Sequence, residues 1–293
     1  MAELLKGKAV ADAISEEAAA TVEELKGKGV VPKLAILRVG ERDDDLAYER
    51  GAMKRCEKIG VAVENVILDA DVSEEKFLDA LDELNKNDEI HGILMFQPLP
   101  KQISSAKARE KLSPEKDVDG STAGSLAGVF INTPIGYPPC TAQAAMEILK
   151  HYNVKLSGKK AVVIGRSLVV GRPVANMLMH ENATVTICHT KTDDVKAQTR
   201  DADIIIAASG QMESLDESYF TPGKNQVVID VGIAWNESKG KLCGDVDFDK
   251  VEPVIGGITP VPGGVGAVTN SILVSHVVEA ARRATGEEPR IIK

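Results

Sequence analysis

The sequence predicts an α/β fold in two domains, and three observations carry that reading. Apolar, β-rich runs alternate with segments of helical period from end to end, the pattern of parallel strands joined by helices that cover both sheet faces. A second α/β block starts near Pro139. The length of 293 residues suits two domains at about 100–200 residues each.

In chain order, Lys33 to Val39 reads as a strand closed by Gly40, and Leu46 to Ile59 as a helix. Val61 to Leu68 returns to strand character. Ser73 to Asn85 has a capping serine, acids in its first turn and apolar residues at helical spacing, so it reads as a helix. Gly92 to Phe96 is a short buried strand that stops at Gln97-Pro98. In the second block, Thr141 to Tyr152 reads as a helix and Lys160 to Ile164 as a strand. A glycine-bearing turn, Gly165 to Gly171, leads into a helix running on from Pro173, whose ring suits a first turn. Ala183–Cys188, Ala202–Ala208 and Gln226–Ile233 are three further strands, and Thr269 to Thr285 is a last apolar helix.

Composition excludes several classes of function. A net charge of −9 leaves no generic basic footprint for nucleic acid or an anionic membrane. Aromatics at 3% are too sparse for base-stacking platforms. No apolar run approaches a membrane span, and the N-terminus lacks a leader pattern. Cys56, Cys140, Cys188 and Cys243 show no metal spacing and read as reduced thiols, so no metal is expected and the expected compartment is the cytoplasm.

Strand, glycine turn and helix together offer backbone N–H groups and a positive helix end to a pyrophosphate. Gly165 and Gly171 are six residues apart, which departs from G-x-G-x-x-G, so the turn alone is a weak signal. The next strand sharpens it. An NAD-selective site carries an acid about 20 residues on, to hold the ribose 2′-hydroxyl. Here the strand ends in His189-Thr190-Lys191-Thr192, where Thr190 and Lys191 suit a 2′-phosphate, and Arg166 in the turn supplies a second cation of bidentate geometry. NADP is therefore expected over NAD, with NAD still open. His189 and His276 read as loop and helix residues without visible partners.

These motifs, with Gly92 to Pro100, Pro114 to Gly120, Gly165 to Pro173, Cys188 to Thr192 and Pro260 to Gly266, resemble the bacterial 5,10-methylenetetrahydrofolate dehydrogenase/cyclohydrolase family over essentially the whole chain. The resemblance implies a folate domain of residues 1–138 plus 268–293, a Rossmann-like nucleotide domain of residues 139–267, tetrahydrofolate one-carbon derivatives as substrates and a homodimer. It implies Tyr48 as a stacking floor, with Gln97 and Asp119 completing the catalytic and folate-binding set and Gly264 and Gly266 beside them. On the cofactor side it adds Ser167 and Ile233 to Gly165, Arg166, Gly171, Thr190 and Lys191.

One position departs sharply. The family carries a Tyr-x-x-x-Lys pair whose lysine is central to methenyl hydrolysis, and here that lysine position is Ala52. At 100° per residue, position 52 lies roughly 40° from Tyr48 on the same helix face, whereas Lys54 lies about 120° away. Arg55 returns to the Tyr48 face, but a guanidinium does not deprotonate and cannot shuttle protons. Asp45, Ala142–Ala144, Ser125 and Ala267-Val268 are further departures. The expectation is a dehydrogenase with weak or absent cyclohydrolase activity. The alternatives are a fully bifunctional enzyme using another hydrolytic group, an NAD-specific dehydrogenase, a shikimate-type dehydrogenase and a dinucleotide-binding regulator without turnover.

Overall fold

The computed structural model describes residues 2–289. The strands are β1 (Glu3–Leu4), β2 (Lys33–Val39), β3 (Ala62–Leu68), β4 (Gly92–Met95), β5 (Lys160–Ile164), β6 (Thr184–Cys188), β7 (Ile204–Ala207), β8 (Val227–Asp230), β9 (Ala234–Asn236), β10 (Lys241–Cys243) and β11 (Gly257–Ile258). The helices are α1 (Gly7–Gly27), α2 (Asp43–Ile59), α3 (Glu74–Lys86), α4 (Ser105–Lys111), α5 (Ala123–Ile131), α6 (Cys140–His151), α7 (Gly171–His180), α8 (Val195–Asp201), α9 (Phe248–Val251) and α10 (Thr269–Ala284). Among the described residues, no helix is long and apolar enough to cross a membrane. The chain divides into two compact units.

One unit, Asp12–Cys140 with residues 270–289, is built on a three-stranded parallel sheet in the order β3-β2-β4. β2 is central and buried along nearly its whole length, which is why it reads as an unbroken apolar run. Its core joins Leu37 and Ile93 from the sheet to Phe77, Leu81 and Leu84 from α3. The capping of α3 is as the sequence predicts: the Ser73 hydroxyl accepts the Lys76 N–H at 3.3 Å. The chain leaves β2 for β3 on one side and later returns to β4 on the other. The carboxyl ends of β2 and β4 therefore flank a topological switch point, where open α/β sheets place ligands.

The other unit, residues 2–11 with Thr141–Thr269, carries a six-stranded parallel sheet in the order β1-β11-β8-β7-β5-β6. Its switch point lies between β5 and β7. The first residues belong here and not with the 1–138 segment to which the sequence reading assigns them. β1 pairs with β11, Glu3 opposite Gly257 and Leu4 opposite Ile258, and the Gly7 N–H donates to the Gly263 carbonyl at 2.8 Å. A two-residue strand paired 254 positions away leaves no periodic trace in the sequence. The sequence reading also leaves α1, α4, α5, α8 and the β9–β10 hairpin unassigned.

Candidate active site

In the three-stranded unit the site is built around α2, which follows β2. Two arginines tie this helix down. Arg38, at the end of β2, is 3% exposed and its Nε donates to Glu49 at 2.7 Å, one residue past Tyr48; it also donates to the Gly40 carbonyl. Arg42 donates to the Pro98 carbonyl at 3.1 Å and lies 3.9 Å from the buried Asp45 carboxylate. The helix carrying Tyr48 is thus held to both the end of β2 and the segment after β4.

Tyr48 and Ala52 do share a helix face, Ala52 being fully buried, while Lys54 is exposed. Arg55 is committed elsewhere: its guanidinium donates to the Ser15 hydroxyl on α1 at 3.0 Å. Burial of the Tyr48 ring raises its hydroxyl well above the ordinary tyrosine range, and the nearby Asp119 charge adds to the effect.

Asp119 sits in a loop held from several directions. The neighbouring Asp117 carboxylate accepts from the Ser121 and Thr122 N–H groups and from the hydroxyls of Ser121 and Ser125. The Val118 carbonyl accepts from His276 Nδ1 on α10 at 2.8 Å and lies 3.3 Å from the Cys140 thiol. His276 therefore has a partner that the sequence reading does not see, and burial pushes the imidazole down to about 4, so the ring is neutral at pH 7. Burial also pushes the Asp119 carboxyl up to about 7. The Asp117 charge pushes the same way, and a hydrogen bond from Cys140 pulls against both.

Gln97 follows β4. Its Oε1 accepts from the Ser105 hydroxyl on α4 at 3.0 Å, and its Nε2 is buried with no partner among the described residues. The side chain that meets Tyr48 is Phe96, with ring centroids 5.9 Å apart and planes at 90°. Sequence reasoning missed Phe96 because an aromatic at a strand end reads as core.

In the six-stranded unit the loop after β5 forms the expected turn. Gly165 has φ +129°, and a Cβ there would lie 2.1 Å from the Ala208 carbonyl oxygen, so only glycine fits. A Cβ on Gly171 would lie 2.3 Å from the Gly165 carbonyl oxygen. Ser167 closes the turn, its hydroxyl accepting the Val170 N–H at 3.1 Å and the Gly171 N–H at 3.4 Å, while Arg166 stays exposed. After β6, the His189 N–H donates to the Thr192 hydroxyl and the Lys191 N–H to His189 Nδ1, leaving the Thr190 and Lys191 side chains exposed. Ile233 is 63% exposed.

Beyond β7, a feature absent from the sequence reading shapes the loop. The buried Asp245 carboxylate accepts from the Ser209 N–H, the Ser209 hydroxyl and the Gly210 N–H. Asp230 in turn accepts from the N–H groups of Gly232, Asp245 and Val246. The paired Asp230-Val-Gly232 and Gly244-Asp245-Val246 segments are the signal that could have found this clamp. Two glycines after β11 differ. A Cβ on Gly264 would lie 2.6 Å from the Pro260 carbonyl oxygen, whereas Gly266 faces open space.

A backbone cradle at a helix start, with exposed Arg166 and Lys191 beside it, fits a dinucleotide carrying an extra phosphate. Family comparison agrees with this chemistry. Residues 139–285 match the model "Tetrahydrofolate dehydrogenase/cyclohydrolase, NAD(P)-binding domain", and residues 5–119 match the catalytic-domain model of the same family. The chain belongs to the tetrahydrofolate dehydrogenase/cyclohydrolase family.

Members of that family match it along its length. The bifunctional protein FolD of Carboxydothermus hydrogenoformans is 54% identical, covering 98% of this chain and 99% of that protein. The FolD protein of Clostridioides difficile is 49% identical, covering 96% of each. Among solved structures, the FolD methylenetetrahydrofolate dehydrogenase/cyclohydrolase of Campylobacter jejuni superposes with a TM-score of 0.92 at 38% identity, over 97% of this chain and 99% of that one. The Trypanosoma brucei enzyme, solved with NADP and an inhibitor, gives 0.90 at 35% identity, over 98% and 99%.

Proposed function

We propose that this member of the family oxidises 5,10-methylenetetrahydrofolate to 5,10-methenyltetrahydrofolate with NADP, and that its hydrolysis of the methenyl product to 10-formyltetrahydrofolate is weak or absent. The observation that carries the second part is Ala52, fully buried on the Tyr48 face where the family resemblance puts a lysine.

The folate nitrogens stabilise the cation that forms as hydride leaves, so the protein's work is alignment and exclusion of water. NADP supplies the hydride acceptor, the C4 of its nicotinamide. The Gly165–Gly171 turn would receive the pyrophosphate on backbone N–H groups, and Arg166, Thr190 and Lys191 would take the 2′-phosphate. Ser167 acts through the turn it closes, and Ile233 offers an exposed apolar surface to a ring. Tyr48 would stack on the folate. The Asp119 carboxylate would accept from pterin N–H donors. Gly266, with open space where a Cβ would stand, leaves room for the substrate, while Gly264 serves the packing of its own turn.

Hydrolysis makes a different demand, because water must be deprotonated as it adds to the methenyl carbon. A positioned acid–base group contributes about 10²–10⁴-fold. Ala52 offers none, and Arg55 is bound to Ser15. A second reading, retention of both activities, has one observation behind it: Asp119 is pushed up to about 7, into the range of a working general base.

We also propose a cytoplasmic homodimer. Support for the dimer is the family resemblance together with the exposed Trp235 and Ile187 of the six-stranded unit. A steady-state assay with methylenetetrahydrofolate and each cofactor tests the reading: turnover is expected with NADP, and turnover with NAD alone overturns the 2′-phosphate assignment.

A further inference from the structure

We propose that Asp245 is a positioning residue for the nicotinamide half of the dinucleotide: braced against Asp230, it fixes the loops that leave β7 and β8 and so sets the surface on which the nicotinamide ring lies. The inference rests on the NADP-linked reading above and adds to it residues outside the glycine turn.

Topology decides which half of the cofactor these loops face. In the six-stranded sheet, β6 lies on one side of β5, and β7 followed by β8 lie on the other. A dinucleotide lies across the carboxyl ends of the strands at the switch point. The pyrophosphate takes the Gly165–Gly171 turn after β5, and the 2′-phosphate takes Thr190 and Lys191 after β6. The nicotinamide half is then left the carboxyl ends of β7 and β8. The loop after β7 does border the turn. Its Ala208 N–H donates to the Ile164 carbonyl at 2.9 Å, and the Ala208 carbonyl oxygen is the atom that leaves no room for a Cβ on Gly165.

Asp245 lies outside both strands, after the β9–β10 hairpin, and is 1% exposed. Its Oδ2 gathers three donors from the loop after β7: the Ser209 N–H at 2.5 Å, the Ser209 hydroxyl at 2.9 Å and the Gly210 N–H at 3.0 Å. Asp230, the last residue of β8, is itself buried. It accepts from the Asp245 and Val246 N–H groups and from the Gly232 N–H, each at 3.0 Å. The two carboxylates are crossed. A Cβ on Gly232 would strike Asp245 Oδ1, and a Cβ on Gly244 would strike Asp230 Oδ2, so glycine at both positions lets the segments close on each other. Ile233, with its exposed side chain, follows Gly232 directly.

Hydrogen bonds to an ionised carboxylate are about twice as strong as neutral ones, so the brace is a stiff one. Its bonds run to the loops after β7 and β8, not to Arg166, Thr190 or Lys191. Loosening it should disturb the nicotinamide half of the cofactor and spare the adenine half.

The test separates the two halves by calorimetry. NADP is compared with adenosine 2′,5′-bisphosphate, which keeps the adenine and the 2′-phosphate and lacks the nicotinamide, on the wild type, Asp245→Asn and Ser209→Ala. Asp245→Asn places an amide among converging donors. It should weaken NADP about tenfold, the worth of one hydrogen bond to a charged group, and leave bisphosphate binding unmoved. Ser209→Ala, which keeps the two backbone bonds, should show the same split with a smaller loss. In steady-state assays the KM for NADP should rise in both variants while the KM for methylenetetrahydrofolate stays unmoved. Equal losses for both ligands would make the brace a structural feature of the whole unit and overturn the assignment, as would NADP affinity unchanged in both variants. If Asp245→Asn fails to fold, Ser209→Ala decides by the same criteria. Wild-type protein that binds NAD and not NADP would overturn the 2′-phosphate reading instead, and the same split, read with NAD against adenosine monophosphate, would still judge Asp245.

Discussion

Asp119 makes a pH dependence that can be worked from the structure. A carboxyl with an ordinary value of 3.8 is pushed up to about 7, first by burial and then by the Asp117 charge. At that value about a tenth of the groups are ionised at pH 6 and about nine-tenths at pH 8. Only the ionised form is purely an acceptor for pterin N–H donors. The KM for methylenetetrahydrofolate should therefore fall about tenfold from pH 6 to pH 8, with kcat changing less. The assay is initial-rate NADPH formation across that range, repeated with Asp119→Asn, whose profile should be flat. Stability carries the opposite sign. A carboxyl whose folded value is raised holds its proton longer in the native state, so its contribution to stability is fully present below about 4 and is lost as pH rises toward 7. His276, pushed down to about 4, contributes in the other direction, as does any depressed histidine. The difference in melting temperature between Asp119→Asn and wild type isolates the Asp119 contribution, and it should shift in favour of the variant as pH rises from 4 to 7. A wild-type KM independent of pH from 6 to 8, or the same slope in Asp119→Asn, would refute the reasoning.

Further outcomes follow from the same geometry. Ala52→Lys should introduce methenyltetrahydrofolate hydrolysis, bounded by the roughly 10²–10⁴-fold of a positioned acid–base group; adding Asp45→Ser should raise it, because the buried Asp45 can pair with the new ammonium and hold it charged. Arg166→Ala should raise the KM for NADP much more than that for NAD, and equal shifts would remove Arg166 from the 2′-phosphate site. Glu49→Ala leaves Arg38, 3% exposed, without its carboxylate and should cost about 3–5 kcal/mol in a denaturant titration. Light scattering at micromolar concentration should show a dimer, against a monomer of about 31 kDa if the dimer proposal fails.

What the sequence made legible was whatever leaves a local trace. β2 and β5 are unbroken apolar runs, α3 announces its cap at Ser73, and the Gly165 turn carries its own punctuation. What it hid was set by distant partners. β1 is a strand only because Gly257 and Ile258 lie beside it. Asp245 reaches back to Ser209, and His276 reaches across the chain to Val118. The site shows the same division. Ala52 on the Tyr48 face follows from helical angles alone. That the Phe96 ring meets Tyr48 and that Ser105 donates to Gln97 does not, because those partners are distant in the chain.

The account's central claim is that oxidation proceeds without efficient hydration, and the decay of methenyltetrahydrofolate tests it most directly. Methenyltetrahydrofolate is added to the unmodified protein and its absorbance followed against buffer at the same pH. The account predicts decay no faster than in buffer, while the same preparation forms NADPH from methylenetetrahydrofolate. Decay that scales with enzyme concentration would contradict it, and would assign the water-activating role to Asp119 or another group on the Tyr48 surface.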